Sequence, residues 1–367
     1  MNDDMNILYI SFLTGIKSEG PNYSVPNQIQ AQSKYDNVLW FNVNNASKDC
    51  WNVDVDFISL TDITRLDIGY LPKPFNRPDL AIFQGLYTFS FCKIARQFKR
   101  NKIPYIIIPR SSLTLLGQQS KPLKKKVGNL IFFNEFIKNA AAVQYLTEGE
   151  YKSSGDKWNK TSLIIPNGID KKSRSKIFKS KTYLKGVFIG RLDVYQKGID
   201  LLIKACSMLK SEIKSAGCVL DLYGPKHEGG KIDINELIVK NGLQDFICMH
   251  DAVFDYEKEE VLLSSDFFIL TSRFEGHPIG VIEALSYGLP CLVTSGTNMA
   301  DEIAAFDAGW IAEMSVRGIA KALKTMLCDR NSLAVKGQNA LKLSQKYSWD
   351  AIASISNKKY EELLNKM

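Results

Sequence analysis

The sequence predicts an α/β protein with two doubly wound domains, each a parallel sheet covered by helices. Short runs rich in Ile, Val, Leu, Tyr or Phe alternate with helix-like segments along almost the whole of the 367 residues. Strands that read as continuous apolar runs are buried on both faces, which is typical of parallel sheets between two layers of helices. A polar, lysine-rich stretch near the middle separates two such regions, and the length suits two domains of ordinary size.

The predicted elements follow one another in a regular order in both halves. The first half has predicted strands at residues 6–11, 38–43, 80–84, 105–109, 143–147 and 162–166, with helices at 25–33, 89–100 and 122–139. The second half has predicted strands at 186–189, 219–223, 246–249, 267–271 and 291–294, with helices at 200–214, 234–241, 256–265 and 278–287. Residues 317–367 are predicted to be helical, and residues 166–186, which lack an apolar period, are predicted to be the linker.

Composition argues against several classes of protein. Hydrophobic residues make up 45% and charged residues 23%, as in a soluble globular protein, and no apolar run approaches the roughly 20 residues that span a bilayer. The N-terminus is acidic before its first apolar run, whereas a secretory signal is basic there, so we expect no export. The seven cysteines occur singly without a C-x-x-C pair, which argues against structural zinc and for a reducing compartment.

The net charge of +8 is concentrated in one part of the chain. Residues 93–126 contain ten Lys or Arg and no Asp or Glu. A surface with one sign of charge attracts anions, and the candidates are nucleic acid, an acidic lipid surface and a phosphorylated substrate. Apart from Phe91 and Phe98 the stretch lacks interleaved aromatic residues, which argues against nucleic acid. A solvated helix face is an equally good interpretation of the same residues.

One stretch, SRFEGHPIGVIEALSYGLP at residues 272–290, carries the main functional signal. Pro278 has no N–H to leave unpaired and suits the first turn of a helix, while Gly288 suits a left-handed cap and Pro290 prevents continuation. The stretch therefore predicts a strand–loop–helix–strand unit. Ligands of such sheets bind at the carboxyl ends of the strands, and a helix N-terminus there is an anion site.

Two glutamates eight residues apart occupy this unit. Glu283 lies among apolar neighbours in the predicted helix, where an ionised carboxylate without donors is strongly unfavourable. It therefore requires a partner, either a vicinal diol such as that of a ribose or an Arg or Lys side chain. Ile279, Glu283 and Ser286 share one helix face, and Glu275 lies in the loop, where a phosphate at the helix start would continue into a sugar. Ordinary cap and surface carboxylates are the alternative.

A second strand–loop–helix unit, at residues 186–205, places two cations in its loop. The loop contains Arg191 and Lys197, and Gly198 precedes the predicted helix. Two cations beside a helix N-terminus can clamp a diphosphate, because Arg binds two oxygens at once and Lys acts as a point charge. Basic residues on an ordinary surface are the alternative.

The residues of these two units resemble those of the retaining glycosyltransferases of family four. The matching pieces are the E-x7-E element at 275–283 and the GRL…KG loop with Arg191 and Lys197. Weaker matches are LYGP at 222–225, IPNGID at 165–170 and YSWD at 347–350.

The resemblance implies the GT-B fold, in which two Rossmann-like domains face each other across a cleft. The N-terminal, acceptor-side domain would cover residues 1–170, and the nucleotide-sugar-binding domain residues 171–345. A C-terminal helix within residues 346–367 would then cross back to the N-terminal domain.

The resemblance also implies roles for single residues. Arg191 and Lys197 would neutralise the diphosphate of a nucleotide-sugar donor, Glu275 would contact the donor sugar and Glu283 the ribose; Arg191, Lys197 and Glu275 are the implied catalytic residues. The other implied donor-binding residues are Gly20, Gly190, Gly224, Val253, Gly276, His277, Pro278 and Ile279. Arg110 and Gln84 are placed on the acceptor side.

The first half departs from the family pattern, in which a histidine often lies near the acceptor. The three histidines, His227, His250 and His277, all lie in the second half. The turn at 84–87 reads QGLY, and PRSSL at 109–113 resembles a subgroup that builds surface polysaccharides. Retention by front-side attack needs no enzyme nucleophile, because the donor phosphate oxygen can take the acceptor proton. Cations stabilise the leaving diphosphate, so no metal or other cofactor is expected.

The expected function is transfer of a sugar with retention, from a UDP- or GDP-sugar to a glycan or lipid-linked oligosaccharide acceptor in O-antigen or capsule synthesis. The expected location is the cytoplasm, with peripheral attachment of the basic stretch to the inner membrane and no binding of nucleic acid. Two alternatives are a GT-B relative that uses a nucleotide sugar without transfer, such as an epimerase or hydrolase, and a binding protein with a decayed site.

Overall fold

The computed structural model describes residues 4–155, 157–179, 182–225 and 233–367. The chain forms two units, Met1–Gly168 together with Trp349–Met367, and Ile169–Ser348. The sequence places the domain boundaries at 170/171 and 345/346, whereas the structure divides the chain at 168/169 and 348/349. The C-terminal segment thus belongs to the same unit as the N-terminal half.

The first unit is built on a parallel sheet. Its strands are β1 (Asn6–Ser11), β2 (Asn37–Asn42), β3 (Asp56–Ser59), β4 (Leu80–Gln84), β5 (Tyr105–Ile108), β6 (Ala142–Tyr145) and β7 (Ser162–Ile164). They lie in the order β3-β2-β1-β4-β5-β6-β7, and every neighbouring pair is parallel. The order reverses between β1 and β4, so the topological switch point of this sheet lies at the carboxyl ends of these two strands.

Helices bury both faces of the first sheet. They are α1 (Gly20–Gln32), α2 (Phe89–Asn101), α3 (Leu115–Gln119), α4 (Pro122–Gly128), α5 (Asn134–Lys138) and α6 (Glu148–Ser154), with a π-helical turn, Asn129–Phe133, joining α4 to α5. Leu8, Ile10 and Phe83 contribute to the core on one face, and Ile7 and Ile82 to the core on the other. Alternate residues of one strand therefore enter different cores, as expected for a strand covered on both sides.

The second unit repeats this design with its own parallel sheet. Its strands are β8 (Leu184–Ile189), β9 (Cys218–Tyr223), β10 (Ile247–His250), β11 (Phe267–Leu270), β12 (Cys291–Thr294) and β13 (Gly309–Ala312). They lie in the order β10-β9-β8-β11-β12-β13, again with every neighbouring pair parallel. The switch point of this sheet lies between β8 and β11.

The helices of the second unit follow the strands in turn. They are α7 (Ile199–Met208), α8 (Lys210–Ser215), α9 (Ile234–Lys240), α10 (Asp255–Ser264), α11 (Ile279–Ser286), α12 (Ala300–Ala305), α13 (Val316–Cys328) and α14 (Leu333–Ser344). None of the helices in the described part of the chain is both long and apolar enough to span a bilayer. The predicted α/β class and the predicted parallel sheets are confirmed.

The last helix, α15 (Trp349–Leu364), packs against α1 in the first unit. Tyr360 donates a hydrogen bond to Gln144 Oε1 at 2.7 Å, and Lys359 Nζ donates one to the Ile164 carbonyl at 3.0 Å. Gly168 lies against the ring of Trp349, and a Cβ atom there would come within 2.3 Å of a ring carbon. These contacts attach the C-terminal helix to the sheet of the first unit.

Two strands escaped the sequence prediction, and both are edge strands. β3 and β13 have four residues each and pair on one side only. Strands at an edge need less apolar surface than central strands, and Asp56 and Gly309 at their starts weaken the apolar pattern further. The tetrapeptide at 54–57, with its D-x-D pattern, enters β3.

Several helix and linker boundaries differ from the prediction. α1 begins at Gly20 rather than Val25, because Pro21 suits the first turn of a helix, where its missing N–H costs nothing. The predicted helix at 200–214 is two helices that meet at Leu209, whose backbone leaves the helical region. The predicted linker ends within β8, which begins at Leu184.

The linker contains one buried ion pair. Lys176 Nζ lies 3.2 Å from Asp266 Oδ1, with both side chains almost fully buried, and it also donates a hydrogen bond to the Leu263 carbonyl at 3.0 Å. A buried Lys charge requires such partners. This part of the predicted linker is therefore packed into the second unit and is not a solvated connection.

Candidate active site

Two loops meet at the switch point of the second sheet. β8 and β11 are neighbours, so the loop at 190–198 and the loop at 271–278 leave the sheet at adjacent carboxyl ends. Ligands of doubly wound sheets bind at this place because the chain turns to opposite faces and leaves a crevice. The loops contain the three residues predicted to be catalytic: Arg191 and Lys197 in the first, and Glu275 in the second.

An ion pair joins the two loops. Lys197 Nζ lies 2.6 Å from Glu275 Oε1, and the two side chains are 15% and 10% exposed. Ser272 donates a hydrogen bond to the same carboxylate oxygen at 2.7 Å, and the Asn298 amide donates to the backbone carbonyl of Glu275. The structure thus brings Lys197 and Glu275 together and fixes the orientation of the carboxylate.

Arg273 holds the same two loops together from outside the ion pair. Its guanidinium makes two parallel hydrogen bonds to the Asp200 carboxylate, at 2.7 and 2.8 Å, and it donates to the Tyr195 carbonyl at 2.7 Å. It also lies over the Tyr195 ring, 4.6 Å from the centroid. A bidentate guanidinium–carboxylate pair has a fixed geometry, so the loops cannot slide past each other. Arg273 was not predicted from the sequence.

The start of α7 is packed against the end of β11. Gly198 has φ of +64°, and a Cβ atom there would come within 2.1 Å of the Thr271 carbonyl oxygen. Thr271 Oγ1 in turn donates to the carbonyls of Lys197 and Gly198, at 3.2 and 3.1 Å. Only glycine fits this close approach with a left-handed backbone. The N-terminus of α7 therefore lies at the switch point.

The start of α11 lies beside the end of β8. Pro278 is the N-cap, so the helix begins at Ile279, one residue later than predicted, and it ends one residue earlier, at Ser286. A Cβ atom on Gly280 would lie 3.2 Å from the Ile189 carbonyl oxygen. Gly288 has φ of +76°, which confirms the predicted left-handed cap. Two helix N-termini thus converge at the switch point, and each carries partial positive charge.

Glu283 has a protein partner. Lys258 Nζ, on the first turn of α10, lies 2.8 Å from Glu283 Oε1, and the Glu283 side chain is 10% exposed. The sequence analysis named either a diol or a basic side chain as the partner that this carboxylate requires. The structure supplies the basic side chain, and the predicted ribose contact stays a prediction.

Arg191 is the second cation predicted for the diphosphate. It is half-buried in the loop after β8, and within residues 4–155, 157–179, 182–225 and 233–367 its guanidinium makes no hydrogen bond or ion pair. Gly190 beside it donates its N–H to the Tyr223 carbonyl at 3.0 Å. A Cβ atom on Gly224 would come within 1.8 Å of the Gly190 oxygen, so the loops after β8 and β9 touch at these two predicted donor-binding residues.

His277 lies in the loop before α11 and is 4% exposed. Burial disfavours the charged imidazolium and lowers the pKa of His277 to about 3. The ring packs edge-on against Tyr347, with the centroids 4.9 Å apart. His277 is therefore neutral at physiological pH and cannot supply a proton there. The Tyr347 of the YSWD match thus packs against this loop, in which Gly276 is also buried.

Two predicted donor-binding residues do not belong to the two loops of this switch point. Val253 is half-buried after β10, which is two strands from β8 in the sheet order. Gly20 is exposed at the start of α1 in the first unit, and a Cβ atom there would meet nothing within 4 Å. Local packing therefore does not explain a glycine at position 20. The roles of both residues stay predictions.

The first unit brings Arg110 and Gln84 together. Arg110 Nη2 donates to Gln84 Oε1 at 2.7 Å, and Nη1 donates to Ser24 Oγ at 3.0 Å and to Asn167 Oδ1 at 3.4 Å. Burial lowers the pKa of Arg110 to about 10, so the side chain stays cationic at neutral pH. No carboxylate of the described residues forms an ion pair with it. The partners of Arg110 include residues from three parts of the chain that the sequence alone does not connect.

A strained turn positions Arg110. Arg110 and Ser111 have φ of 49° and 64°, a left-handed backbone that costs free energy for residues other than glycine. The fully buried Glu150 accepts hydrogen bonds from the N–H of Ser111 and, at 2.7 Å, from that of Leu146. Burial raises the pKa of Glu150 to about 7, against the opposing effect of these hydrogen bonds. Glu150 thus holds the turn that carries Arg110.

Two histidines and a possible metal site remain among the sequence candidates. His227 lies outside the described residues, and His250, on β10, bonds to Asp221 Oδ1 at 2.9 Å. In the part of the chain that the structure describes, no group of three or more His, Cys, Asp or Glu side chains is placed to hold a metal ion. The expectation that the reaction needs no metal stays a prediction.

One part of the chain matches a known family of domains. Residues 170–343 match the family model described as glycosyl transferases group 1. This range contains both loops of the switch point and the E-x7-E element. The predicted resemblance and the predicted enzyme class are confirmed: the chain carries a glycosyltransferase group 1 domain.

Relatives with assigned activities are distant. The chain is 23% identical over 328 residues to N,N'-diacetylbacillosaminyl-diphospho-undecaprenol alpha-1,3-N-acetylgalactosaminyltransferase of Campylobacter jejuni, a match over 85% of this chain and 78% of that protein. It is 26% identical over 204 residues to one subunit of the phosphatidylinositol N-acetylglucosaminyltransferase of Arabidopsis thaliana, over 55% of this chain. That second match spans 44% of the length of the Arabidopsis protein.

Solved structures share the whole architecture. Sucrose-phosphate synthase from Thermosynechococcus elongatus superposes with a TM-score of 0.77 over 99% of this chain and 100% of that chain, at 16% identity. The Anabaena HepE complex with UDP and glucose superposes with a TM-score of 0.68 over 99% and 100% of the two chains, at 17% identity. At this identity the likeness shows the fold, and the predicted GT-B fold is confirmed.

We predict that His277 makes the protein less stable in mild acid. Its pKa is lowered to about 3 in the folded state, whereas a histidine in the unfolded chain has a pKa of about 6.5. Between these two pKa values the His277 ring is protonated in the unfolded chain but not in the folded protein. The free energy of unfolding therefore decreases as the pH falls from about 6.5 towards 3. At pH 5 this amounts to about 2 kcal/mol.

The test compares thermal unfolding of the wild type and of His277→Phe at pH 7 and pH 5. The variant has no titrating ring at this position, so we expect its melting temperature to fall less than that of the wild type. An equal fall in both proteins would mean that the ring of His277 is protonated in the folded state as readily as in the unfolded chain.

Proposed function

We propose that this chain, which carries a glycosyltransferase group 1 domain, transfers a sugar with retention from a nucleoside diphosphate sugar to a glycan acceptor without a metal ion. The observation that carries the proposal is the convergence of two helix N-termini, Arg191 and Lys197 at the switch point of the second sheet. This arrangement concentrates positive charge where a dianionic diphosphate would leave. Helix N-termini and cations together form an anion site.

Departure of the diphosphate is the step that most needs stabilisation. The bond between the sugar C1 and the phosphate oxygen breaks, the bond between C1 and the acceptor oxygen forms, and the acceptor proton passes to a donor phosphate oxygen. The charge that develops on the diphosphate is then met by Arg191 and Lys197. Cations that are already in place stabilise such charge without reorganisation, which is why no divalent ion is needed in this proposal.

Arg191 and Lys197 differ in whether they already have a partner in the protein. Arg191 makes no hydrogen bond within the described residues, so its five donors are available to a ligand. Lys197 is already paired with Glu275 at 2.6 Å. A diphosphate that approaches Lys197 must share it with Glu275, and the carboxylate can then accept hydrogen bonds from hydroxyls of the donor sugar. Binding of the diphosphate and orientation of the sugar are therefore coupled through one ion pair.

The other proposed donor contacts are to the ribose and to the base, which follow the diphosphate along a nucleotide sugar. Glu283, four residues into α11, would bind the ribose hydroxyls beyond the diphosphate. Val253 after β10 lies on the side of the sheet where the base would follow, at β9 and β10. UDP- and GDP-sugars are the proposed donors. The HepE structure holds UDP and glucose on the same fold, which favours a uridine nucleotide as the first ligand to test.

The acceptor is proposed to bind to the first unit through Arg110 and Gln84. Arg110 is a largely buried cation without a carboxylate partner in the described part of the chain, and such a group favours an anionic or strongly polar ligand. The Campylobacter relative, by its name, acts on an undecaprenol diphosphate. A lipid-linked oligosaccharide in surface-polysaccharide synthesis is accordingly the proposed acceptor for this chain.

We further propose that the first unit attaches to the cytoplasmic face of the inner membrane through an apolar strip. The strip is defined by exposed apolar residues of α3 and of the helical run from α4 to α5: Leu115, Leu123, Val127, Leu130 and Ile131. Leu123 and Leu130 are each 80% exposed, and Ile131 is 56% exposed. Large exposed apolar side chains in one continuous segment mark an interaction surface.

The charge around the apolar strip favours an anionic lipid surface as its partner. Lys121, Lys124 and Lys126 are exposed on the same helical run, which carries no acidic residue before Glu135. Exposed apolar residues spaced 4, 3 and 1 positions apart, with lysines between them, are typical of a helix that lies in a membrane interface. Lysines near an anionic surface contribute roughly 1 kcal/mol each, and insertion of the leucines adds to that.

We predict that Glu275→Gln abolishes transfer without weakening nucleotide binding. The amide lacks the negative charge of the carboxylate and offers the sugar hydroxyls one acceptor oxygen instead of two, so we expect the transfer rate to fall roughly a hundredfold or more. Lys197 loses its competing anion, so the affinity for UDP or GDP should stay equal or rise. Release of nucleoside diphosphate from a panel of UDP- and GDP-sugars, with and without a glycan acceptor, measures the first effect, and calorimetric titration measures the second.

The same panel separates the proposed transfer from its alternatives. Release of diphosphate that requires an acceptor favours transfer, whereas release without an acceptor favours a hydrolase. Near-normal turnover by the Gln variant, with its melting temperature unchanged, would remove Glu275 from the reaction.

We predict that Lys197→Met weakens the binding of nucleoside diphosphates roughly ten- to a hundredfold, because hydrogen bonds between charged groups contribute about 1.5–3 kcal/mol. The matched control is Lys204→Met, which removes an exposed lysine from α7, the helix that follows the loop of Lys197. Titration of UDP and GDP into both variants measures the effect. Equal affinities in the two variants would place the diphosphate elsewhere.

We predict that the double variant Leu123→Ser/Leu130→Ser loses its binding to anionic vesicles. Burial of a leucine side chain is worth roughly 1.5–3 kcal/mol, so the partition coefficient should fall by about a hundredfold or more. Co-sedimentation with phosphatidylcholine vesicles, with and without phosphatidylglycerol, provides the measurement. Val335→Ser, which removes an isolated exposed valine of α14, is the control. Equal sedimentation of all variants, or none by the wild type, would contradict the membrane proposal.

A further inference from the structure

We propose that Lys258 is a positioning residue for ribose recognition, because it orients the carboxylate that meets the ribose. The inference rests on the proposed function, in which Glu283 binds the ribose of the donor. Lys258 Nζ lies 2.8 Å from Glu283 Oε1 and joins the first turn of α10 to the middle of α11. Nothing in the resemblance between this sequence and its family points to Lys258.

Glu283 requires a counter-charge at its position. Its helix neighbours Val281, Ile282, Ala284 and Leu285 are fully buried, and its own side chain is 10% exposed. A carboxylate in such surroundings is costly without a charged partner. Lys258 supplies that partner, and it is itself 26% exposed, so its ammonium group keeps part of its hydration.

The ion pair leaves room for a ligand on the carboxylate. A carboxylate has about four lone-pair sites, and Lys258 takes one of them, on Oε1. Within the residues that the structure describes, Oε2 of Glu283 makes no hydrogen bond. A vicinal diol donates two hydrogen bonds, and Oε2 together with the second lone pair of Oε1 can accept both. Lys258 thus neutralises and orients Glu283 without occupying the positions that a ribose needs.

Two acidic residues of α10 are engaged elsewhere. Glu259 and Glu260, which follow Lys258 in the chain, both pair with Arg174. Lys258 makes its ion pair with a different helix, although acidic residues lie next to it in sequence. The sequence could not predict that Lys258 pairs with Glu283, because a lysine within YEKEE is typical of the solvated face of a helix.

The experiment compares nucleotides with and without the ribose hydroxyls. Affinities are measured by calorimetry for UDP and GDP and for their 2′,3′-dideoxy analogues, with the wild type, Lys258→Met, Lys258→Arg and Glu283→Gln. For the better of the two bases we expect the wild type to prefer the ribonucleotide by roughly ten- to a hundredfold, as for hydrogen bonds to a charged group.

In Lys258→Met we expect most of that preference to disappear, with the affinity for the dideoxy analogue changed less than about twofold. Lys258→Arg restores a cation and should restore the preference. Arg174→Ala is the matched control, since it breaks an exposed ion pair on the same helix, and it should leave the preference unchanged.

Three outcomes overturn the inference. If Lys258→Met weakens both nucleotides by the same factor, Lys258 acts on the diphosphate or on the fold. If it keeps the full preference while Glu283→Gln loses it, Glu283 reads the ribose without help from Lys258. If the wild type itself shows no preference, the ribose assignment of Glu283 fails, and that result counts against the proposed function as well.

Discussion

The ion pair between Lys197 and Glu275 is the interaction on which the candidate site depends. It connects the loop after β8 to the loop after β11 across the switch point of the second sheet. A parallel sheet places these two strand ends side by side, but the side chains meet only because Gly198 lets α7 start against the Thr271 carbonyl. Arg273 then locks the loops through its bidentate contact with Asp200. The positions of both side chains are therefore fixed before a ligand arrives, although an anion that binds Lys197 must share it with Glu275.

Most of the architecture could be predicted from the sequence, because central strands and capped helices leave strong local signals. Buried parallel strands read as apolar runs, and all central strands were placed to within a few residues. Pro278 and Gly288 marked the two ends of α11 because one lacks an N–H and the other tolerates a positive φ. The edge strands β3 and β13 and the start of α1 were missed, since edges need little apolar surface and the segment before Val25 is rich in turn-forming residues.

The partners of the site residues could not be predicted, because they come from distant parts of the chain. Each of Lys258, Arg273 and Glu150 reads as an ordinary polar residue in its own segment, and its role depends on what the fold places opposite it. Glu283 shows the limit clearly. The sequence indicates that its carboxylate needs a partner. It does not distinguish between a lysine on the preceding helix and a ribose, because either one can supply the hydrogen-bond donors. The three-dimensional arrangement shows that Lys258 contacts Oε1 of Glu283 at 2.8 Å, and the ribose contact stays a prediction.

Both units place a cation near the end of a strand, but a carboxylate supports that cation in a different way in each unit. In both units a cation stands where a strand ends, and a buried or nearly buried carboxylate fixes the backbone or side chain that presents it. In the second unit the carboxylate of Glu275 contacts the cation directly. In the first, Glu150 bonds to the N–H of Ser111 and stabilises a left-handed turn, while Arg110 bonds to neutral side chains. A cation with a carboxylate partner must exchange it to bind a phosphate, whereas a cation held by neutral groups keeps its full charge for the ligand. Within the described residues Arg110 has no ion pair that an anion would have to displace, and two residues with a left-handed backbone, which costs free energy, hold it in that position.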